Sequence, residues 1–182
     1  IVENVDCLVR MKETPDKYFD LAIVDPPYGI NVEKFSFGNG HNQLRVDYAL
    51  KNRHKLWDKQ TPSAEYFNEL FRVSKNQLIF GGNYFNLPPT RCFYFWYKGA
   101  SMKGRDYADG ELIWTSFDRV ARILEYNPTH GGKKTKTHPA QKSVSIYKTL
   151  LKDFAQTGDK IFDSHLGSQS SRIAAYDLGF DF

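Results

Sequence analysis

Cysteine is scarce in this sequence: Cys7 and Cys92 are the only two, far apart and outside any metal-ligand spacing. Two such thiols cannot build a disulfide-stapled fold, and they read as the reduced thiols of a cytosolic chain. The five histidines, His41, His54, His130, His138 and His165, form no pair at ligand spacing, so no metal site is expected. No apolar run approaches the ~20 residues that a membrane-spanning helix needs. Neither a secretory signal nor a lipidation motif is visible. Membrane association is therefore not expected, and cytoplasmic residence is. An initiator methionine is also lacking, since the chain opens on Ile1-Val2-Glu3 and stops at Phe182. Further residues are expected on both sides.

What is present is the material of a folded domain. Hydrophobic residues make up 41% of 182 residues and aromatics 15%, which sets the chain apart from disordered sequences. The length fits one domain over residues 1–182. The net charge is 25 − 21 = +4. Mild basicity of this kind suits a nucleic-acid partner without demanding one.

Apolar patterning gives the order of elements. Leu21-Ala22-Ile23-Val24-Asp25 is a short buried strand, stopped by two prolines that cannot donate to a ladder. Residues 31–62 are polar and form a long excursion, of the kind that in compact domains serves function or moves. Tyr66, Phe67, Leu70 and Phe71 recur at helical spacing between Ala64 and Val73. Strands are expected at Gln77–Phe80, Phe93–Tyr97, Glu111–Thr115 and Val120–Tyr126. Residues 127–143 are loop-like and basic. A helix follows from Val144 to Ala155, burying Ile146, Tyr147, Leu150, Leu151 and Phe154. Lys160–Asp163 then forms a strand, and a helix runs from Ser170 to Leu178, with Ser170 able to cap it and Gly179 ending it. Phe180-Asp181-Phe182 opens another strand. Strands alternating with helices imply an α/β fold: a mostly parallel sheet covered on both faces.

Two segments carry chemistry. The first is Asp25-Pro26-Pro27-Tyr28, at the carboxyl end of a buried strand, where open α/β sheets bind ligands. An exocyclic amine on adenine or cytosine is a poor nucleophile because its lone pair is delocalised into the ring. Two acceptors aimed at its two hydrogens draw it toward tetrahedral geometry and free the lone pair. Asp25 supplies a carboxylate, and the stiff turn can aim the Pro26 carbonyl as the second acceptor. Tyr28 offers a flat face on which an extruded base can stack. A methyl sulfonium in line with the nitrogen completes the transfer, so positioning does most of the work.

The second segment is Phe162-Asp163-Ser164-His165-Leu166-Gly167-Ser168-Gln169-Ser170-Ser171. A strand ends in Asp163, and a turn of small residues feeds a helix. Backbone N–H groups and a helix N-terminus can thereby approach a polar ligand closely. The dinucleotide fingerprint G-x-G-x-x-G is absent from it.

Together these segments resemble the amino-methyltransferases of DNA, which modify N6 of adenine or N4 of cytosine. The resemblance extends over nearly the whole chain. His138-Pro139-Ala140-Gln141-Lys142 resembles the segment that precedes the cofactor loop, Asn4-Val5-Asp6-Cys7-Leu8 the stretch before the catalytic strand, and Glu111-Leu112-Ile113-Trp114 a late strand motif. The order, catalytic motif first and cofactor loop last, matches the circularly permuted β-type arrangement. The wording after Asp163 is most similar to small phage or prophage adenine methylases. The resemblance implies a Rossmann-like, S-adenosylmethionine-dependent methyltransferase fold. It implies a catalytic Asp25, Pro26, Pro27 and Tyr28. It implies a cofactor site lined by Asp25, Asp163, Leu166, Gly167 and Ser168, with Asp6 and Cys7 near the adenine and Gln141 and Lys142 toward the methionine end. Three departures stand out: Gln169 occupies a position usually glycine, Ser143 replaces a proline, and the chain stops where the family continues to an acidic ribose-binding residue.

Duplex DNA is the expected partner, methylated as in restriction-modification systems. Lys34, Arg45, Lys51, Arg53 and Lys55, in the polar excursion, are the candidates for contacting its phosphates, which position without specifying sequence. A site this economical suggests a homodimer. A C5-cytosine methyltransferase needs a nucleophilic cysteine after a proline. Cys7 follows Asp6 and Cys92 follows Arg91, so that chemistry is excluded. N6 of adenine is the preferred target. N4 of cytosine, an RNA amine, and a silent DNA-binding relic remain as alternatives at this point.

Overall fold

A computed structural model describes residues 1–31, 58–103, 108–127 and 141–182. Among the described residues, six strands form one sheet: β1 (Phe19–Val24), β2 (Ser74–Phe80), β3 (Phe93–Tyr97), β4 (Gly110–Thr115), β5 (Arg122–Glu125) and β6 (Ile161–Phe162). Their spatial order is β5-β3-β4-β2-β1-β6. β1 pairs in parallel with both β2 and β6, and β3 pairs in parallel with β5. β4 alone is reversed, antiparallel to β2 on one side and β3 on the other. The sheet is thus mostly parallel, as the alternation of elements implied. A parallel bridge from Lys160 to Asp181 starts a further strand beside β6, at the expected Phe180-Asp181-Phe182.

Alternation of side chains along β1 divides the core. Leu21 and Ile23 face one side, where α3 (Val144–Phe154) and α4 (Ser170–Leu178) bury Ile146, Leu150, Leu151, Ala174 and Ala175. Ala22 and Val24 face the other, against α1 (Cys7–Glu13) and α2 (Ala64–Val73), with Met11, Tyr66, Phe67 and Leu70. Each fully buried aliphatic side chain contributes about 1.5–3 kcal/mol. The helical faces read from the sequence are the buried ones, with one exchange on α2: Val73 is fully buried and Phe71 partly so.

Local chemistry sets the boundaries. Ser63 caps α2 by accepting from Tyr66 N, and Ser143 caps α3 by accepting from Ser145 N. α1, absent from the pattern reading, is nucleated by Asp6, whose Oδ1 accepts from Leu8 N at 2.8 Å and Val9 N at 3.2 Å. β2 begins at Ser74 rather than Gln77. Its polar start is satisfied internally: Ser74 Oγ donates to the Leu70 carbonyl, and Gln77 Nε2 donates to the Ser74 carbonyl. The cap of α4 is Gln169 in a left-handed conformation, with φ +61°, and Ser170 is instead the first helical residue. No helix among the described residues is long and apolar enough to cross a membrane.

Candidate active site

The parallel strands release the chain at one edge of the sheet, the edge where open α/β sheets hold ligands. β1 leads into Asp25–Tyr28, β6 into Asp163–Ser168 and β2 into Gly81. Because β1 and β6 are adjacent and in register, Leu21 opposite Ile161 and Ala22 opposite Phe162, the two motifs leave neighbouring strand ends side by side. β4 is reversed, so its beginning, not its end, reaches this edge and carries Glu111 there. β3 ends at Tyr97 and brings Lys98.

The turn after β1 is fixed from outside. Asp58 is 2% exposed, and its Oδ1 accepts from Tyr28 N at 2.7 Å and Gly29 N at 2.9 Å. Pro26 is buried and Pro27 partly so. The Tyr28 ring stacks on Tyr84, with centroids 4.9 Å apart and planes 11° apart. Its hydroxyl turns inward and donates to Asp25 Oδ1 at 2.8 Å. One face of the tyrosine expected to receive a base is therefore covered by a second tyrosine. Burial, reinforced by the Asp25 and Glu111 carboxylates, raises the Tyr28 phenol well above its ordinary value, so it remains a donor.

Lys142, expected toward the methionine end of a cofactor, turns its side chain to the carboxylates of Asp25 and Glu111. Nζ sits 2.5 Å from Asp25 Oδ2, 3.3 Å from Glu111 Oε2 and 3.2 Å from the Tyr28 hydroxyl, with only 7% of the side chain exposed. Lys98 Nζ holds the other Glu111 oxygen, Oε1, at 2.9 Å. Two carboxylates and two ammonium groups thus form one neutral, largely desolvated network. An ammonium at this depth needs such partners, and here two carboxylates supply them. Burial opposes the charge on Lys142, but Asp25 and Glu111 prevail and raise its pKa. Burial likewise pushes Glu111 up, and Lys142 and Lys98 outweigh it, holding the carboxyl down at about 2.

The β6–α4 turn is knitted by its own side chains. Asp163 Oδ1 accepts from His165 N at 2.9 Å, and Oδ2 accepts from Ser171 Oγ at 2.6 Å. Burial raises this carboxyl to about 6 despite both bonds. Ser164 Oγ shares hydrogen bonds with His165 Nδ1 at 2.8 Å and with the Tyr66 hydroxyl at 2.7 Å, so α2 braces the turn from the opposite face. Burial lowers His165 to about 4, which leaves the ring neutral at pH 7. Leu166 and Ser168 are half-buried and Gly167 is exposed, with φ +47°. Ser168 Oγ meets Ser170 Oγ, and Ser170 Oγ donates to the Lys142 carbonyl at 2.8 Å, joining this turn to the lysine of the other half of the site.

The structure therefore brings together Asp25, Pro26, Pro27, Tyr28, Lys142, Asp163, Leu166, Gly167 and Ser168. Gln141 is half-buried beside Lys142. Cys7 packs at the margin of the cluster that contains Tyr66, and its thiol is pushed up by burial and then by Asp6. Asp6 is exposed, with its carboxylate committed to capping α1. Lys34, Arg45, Lys51, Arg53, Lys55 and His138 lie outside the described residues. Pattern reading gave no part in the site to Asp58, Tyr66, Lys98 or Glu111. Glu111 had a signal, as a carboxylate opening an otherwise apolar strand. Asp58 had none, standing at the end of a polar stretch.

No protein-family model matches the chain. Solved structures do. PvuII DNA methyltransferase, described as cytosine-N4-specific, matches with a TM-score of 0.60 at 11% identity, over 97% of this chain and 78% of its own. M1.HpyAVI, solved with S-adenosylmethionine, matches at 0.55 and 16% identity, over 99% and 90%. TTHA0409 of Thermus thermophilus, named as a candidate DNA modification methylase, matches at 0.51 and 15% identity, over 97% and 84%. At these identities the likeness establishes the fold, the Rossmann-like fold of S-adenosylmethionine-dependent methyltransferases.

Proposed function

We propose that this chain transfers the methyl group of S-adenosylmethionine to an exocyclic amine of a base in DNA, with N6 of adenine as the target. The observation that carries the reading is the adjacency of Asp25-Pro26-Pro27-Tyr28 and the small-residue turn at neighbouring ends of β1 and β6. The fold shared with DNA methyltransferases supports it. The residues suit the cofactor. The turn is made of Gly167 and serines at the N-terminus of α4, where backbone N–H groups can meet a carboxylate or ribose closely. Leu166, Gly167 and Ser168 would hold it, with Cys7 and Gln141 at the margins. S-adenosylmethionine supplies an electrophilic methyl group when bound.

The remaining work falls to side chains of the chain itself. Asp25 accepts a hydrogen bond from the target amine, directs its lone pair, and takes the proton that the nitrogen sheds once it has gained a methyl group. Asp58 holds the backbone of that turn, and Tyr28 and Tyr84 form its aromatic wall. Asp163 shapes the turn through Ser171 and His165 and keeps acceptor capacity on both oxygens for the cofactor. Lys34, Arg45, Lys51, Arg53 and Lys55 are proposed to contact DNA phosphates. N4 of cytosine is the second reading, favoured by the likeness to a cytosine-N4-specific enzyme.

The test is to incubate the protein with methyl-labelled cofactor and duplex DNA, digest to nucleosides and identify the labelled one. N6-methyladenine is expected, with loss of product in Asp25→Ala and retention of its fold. Label on cytosine overturns the choice of base. No label on DNA, under conditions where the protein binds cofactor, overturns the enzyme reading.

A further inference from the structure

Both oxygens of the Asp25 carboxylate are engaged by protein donors: Oδ1 by the Tyr28 hydroxyl and Oδ2 by Lys142. A carboxylate already held by an ammonium at 2.5 Å has less to offer the hydrogen of an amine. For the proposed reaction, on which this inference rests, those donors must yield. Among the described residues, each of them has one other carboxylate within reach, and it is the same atom. Glu111 Oε2 lies 3.3 Å from Lys142 Nζ and 3.3 Å from the Tyr28 hydroxyl. Lys98 pins the opposite oxygen, Oε1, and so keeps Oε2 turned toward the pair. The ammonium is lopsided between two carboxylates, and a movement of less than about 1 Å reverses its preference within ordinary hydrogen-bond geometry.

We propose that Glu111 is a positioning residue that receives Lys142 and the Tyr28 hydroxyl when a substrate amine claims the Asp25 carboxylate. The charge on Lys142 stays compensated throughout, because it passes from one carboxylate to another without entering water. Asp25 then meets the amine as a carboxylate freed of its counter-ion. Glu111 acts through Lys142 and touches no reacting atom.

The test is a double-mutant cycle of Glu111→Gln and Lys142→Met, with methyl transfer to unmodified duplex DNA of mixed sequence as the readout and thermal unfolding followed in parallel. Among the described residues, Glu111→Gln leaves Lys142 with Asp25 as its only carboxylate. It is expected to lower kcat/KM for DNA about tenfold, the scale of one charge-assisted hydrogen bond, with the KM for cofactor changed by less than about twofold. In the Lys142→Met background, where no ammonium blocks Asp25, the same substitution is expected to cost less than about twofold. Several results overturn the proposal: an unaffected Glu111→Gln enzyme, an equal loss in both backgrounds, a Glu111→Gln chain that does not fold, or a Lys142→Met enzyme with no transfer at all. A wild-type protein that methylates no DNA overturns the proposed function itself, and is distinguishable from all of these.

Discussion

Gly81 lies directly beneath the ring of Tyr28: a Cβ placed on Gly81 would fall 2.4 Å from Tyr28 Cε1 and 2.6 Å from Cζ. The glycine ends β2 with φ +68°, a conformation other residues adopt at a cost. The aromatic wall of the site thus depends on a missing side chain one strand away.

Gly81→Ala is expected to tilt Tyr28 away from Tyr84 and Asp25. Methyl transfer should fall by at least about tenfold in kcat/KM, and urea unfolding should show a loss of about 1–3 kcal/mol from strain and overpacking. Unchanged kinetics would show that the orientation of the ring does not matter.

Asp163 and His165 make opposite contributions to stability over the same pH range. The folded-state pKa of Asp163 is raised from 3.8 to about 6, so its contribution grows as pH falls through 6 toward 3.8 and is lost as pH rises again. The folded-state pKa of His165 is lowered from 6.5 to about 4, so its contribution is present above 6.5 and is lost as pH falls toward 4. The two largely offset each other between these limits. Asp163→Asn should therefore uncover a steep acid loss, and His165→Gln a gain on mild acidification. Each should be on the order of 2–3 kcal/mol across that window, by the free energy of a two-unit shift. Denaturant melts at several pH values measure both, and parallel curves for wild type and variants would refute the assignment.

Gln169 is a side-chain-bearing residue at φ +61° in the position that caps α4. Its side chain makes no capping bond and instead accepts an exposed hydrogen bond from Arg172. Gln169→Gly should stabilise the fold by about 1 kcal/mol, the relief of the left-handed conformation, as read from urea midpoints. A destabilised variant would mean that the side chain contributes more than its backbone strain costs.

Tyr66→Phe removes the hydroxyl that reaches Ser164 from α2 while leaving its packing. The turn should loosen and S-adenosylmethionine binding, by calorimetry, should weaken about fivefold, corresponding to one hydrogen bond of about 1 kcal/mol. Equal affinity would show that the brace is dispensable.

The legible features were those that depend on local pattern. The apolar periodicity of Ala64–Val73 and Val144–Phe154 gave both helices and most of their buried faces, because burial on one side is what periodicity records. Asp25–Tyr28 was visible because prolines stop a buried strand wherever they fall. α1 was not visible: seven residues hold too little pattern, and a lone Asp6 does not by itself announce the cap that starts it. The course of Lys142 was not visible either. Its partners Asp25 and Glu111 are 117 and 31 positions away, and Glu111 reaches it only because β4 runs backwards through the sheet. Asp58 shows the same limit, since a buried carboxylate that accepts from a distant turn leaves no trace in the residues around it.

The bond from Ser170 to the Lys142 carbonyl ties the two motifs together. One half of the cleft hangs on the first turn of a helix, and the other half hangs on the residue that turn holds. If the proposed cofactor and base occupy the two halves, any effect that this bond carries from one to the other is mutual and equal in free energy.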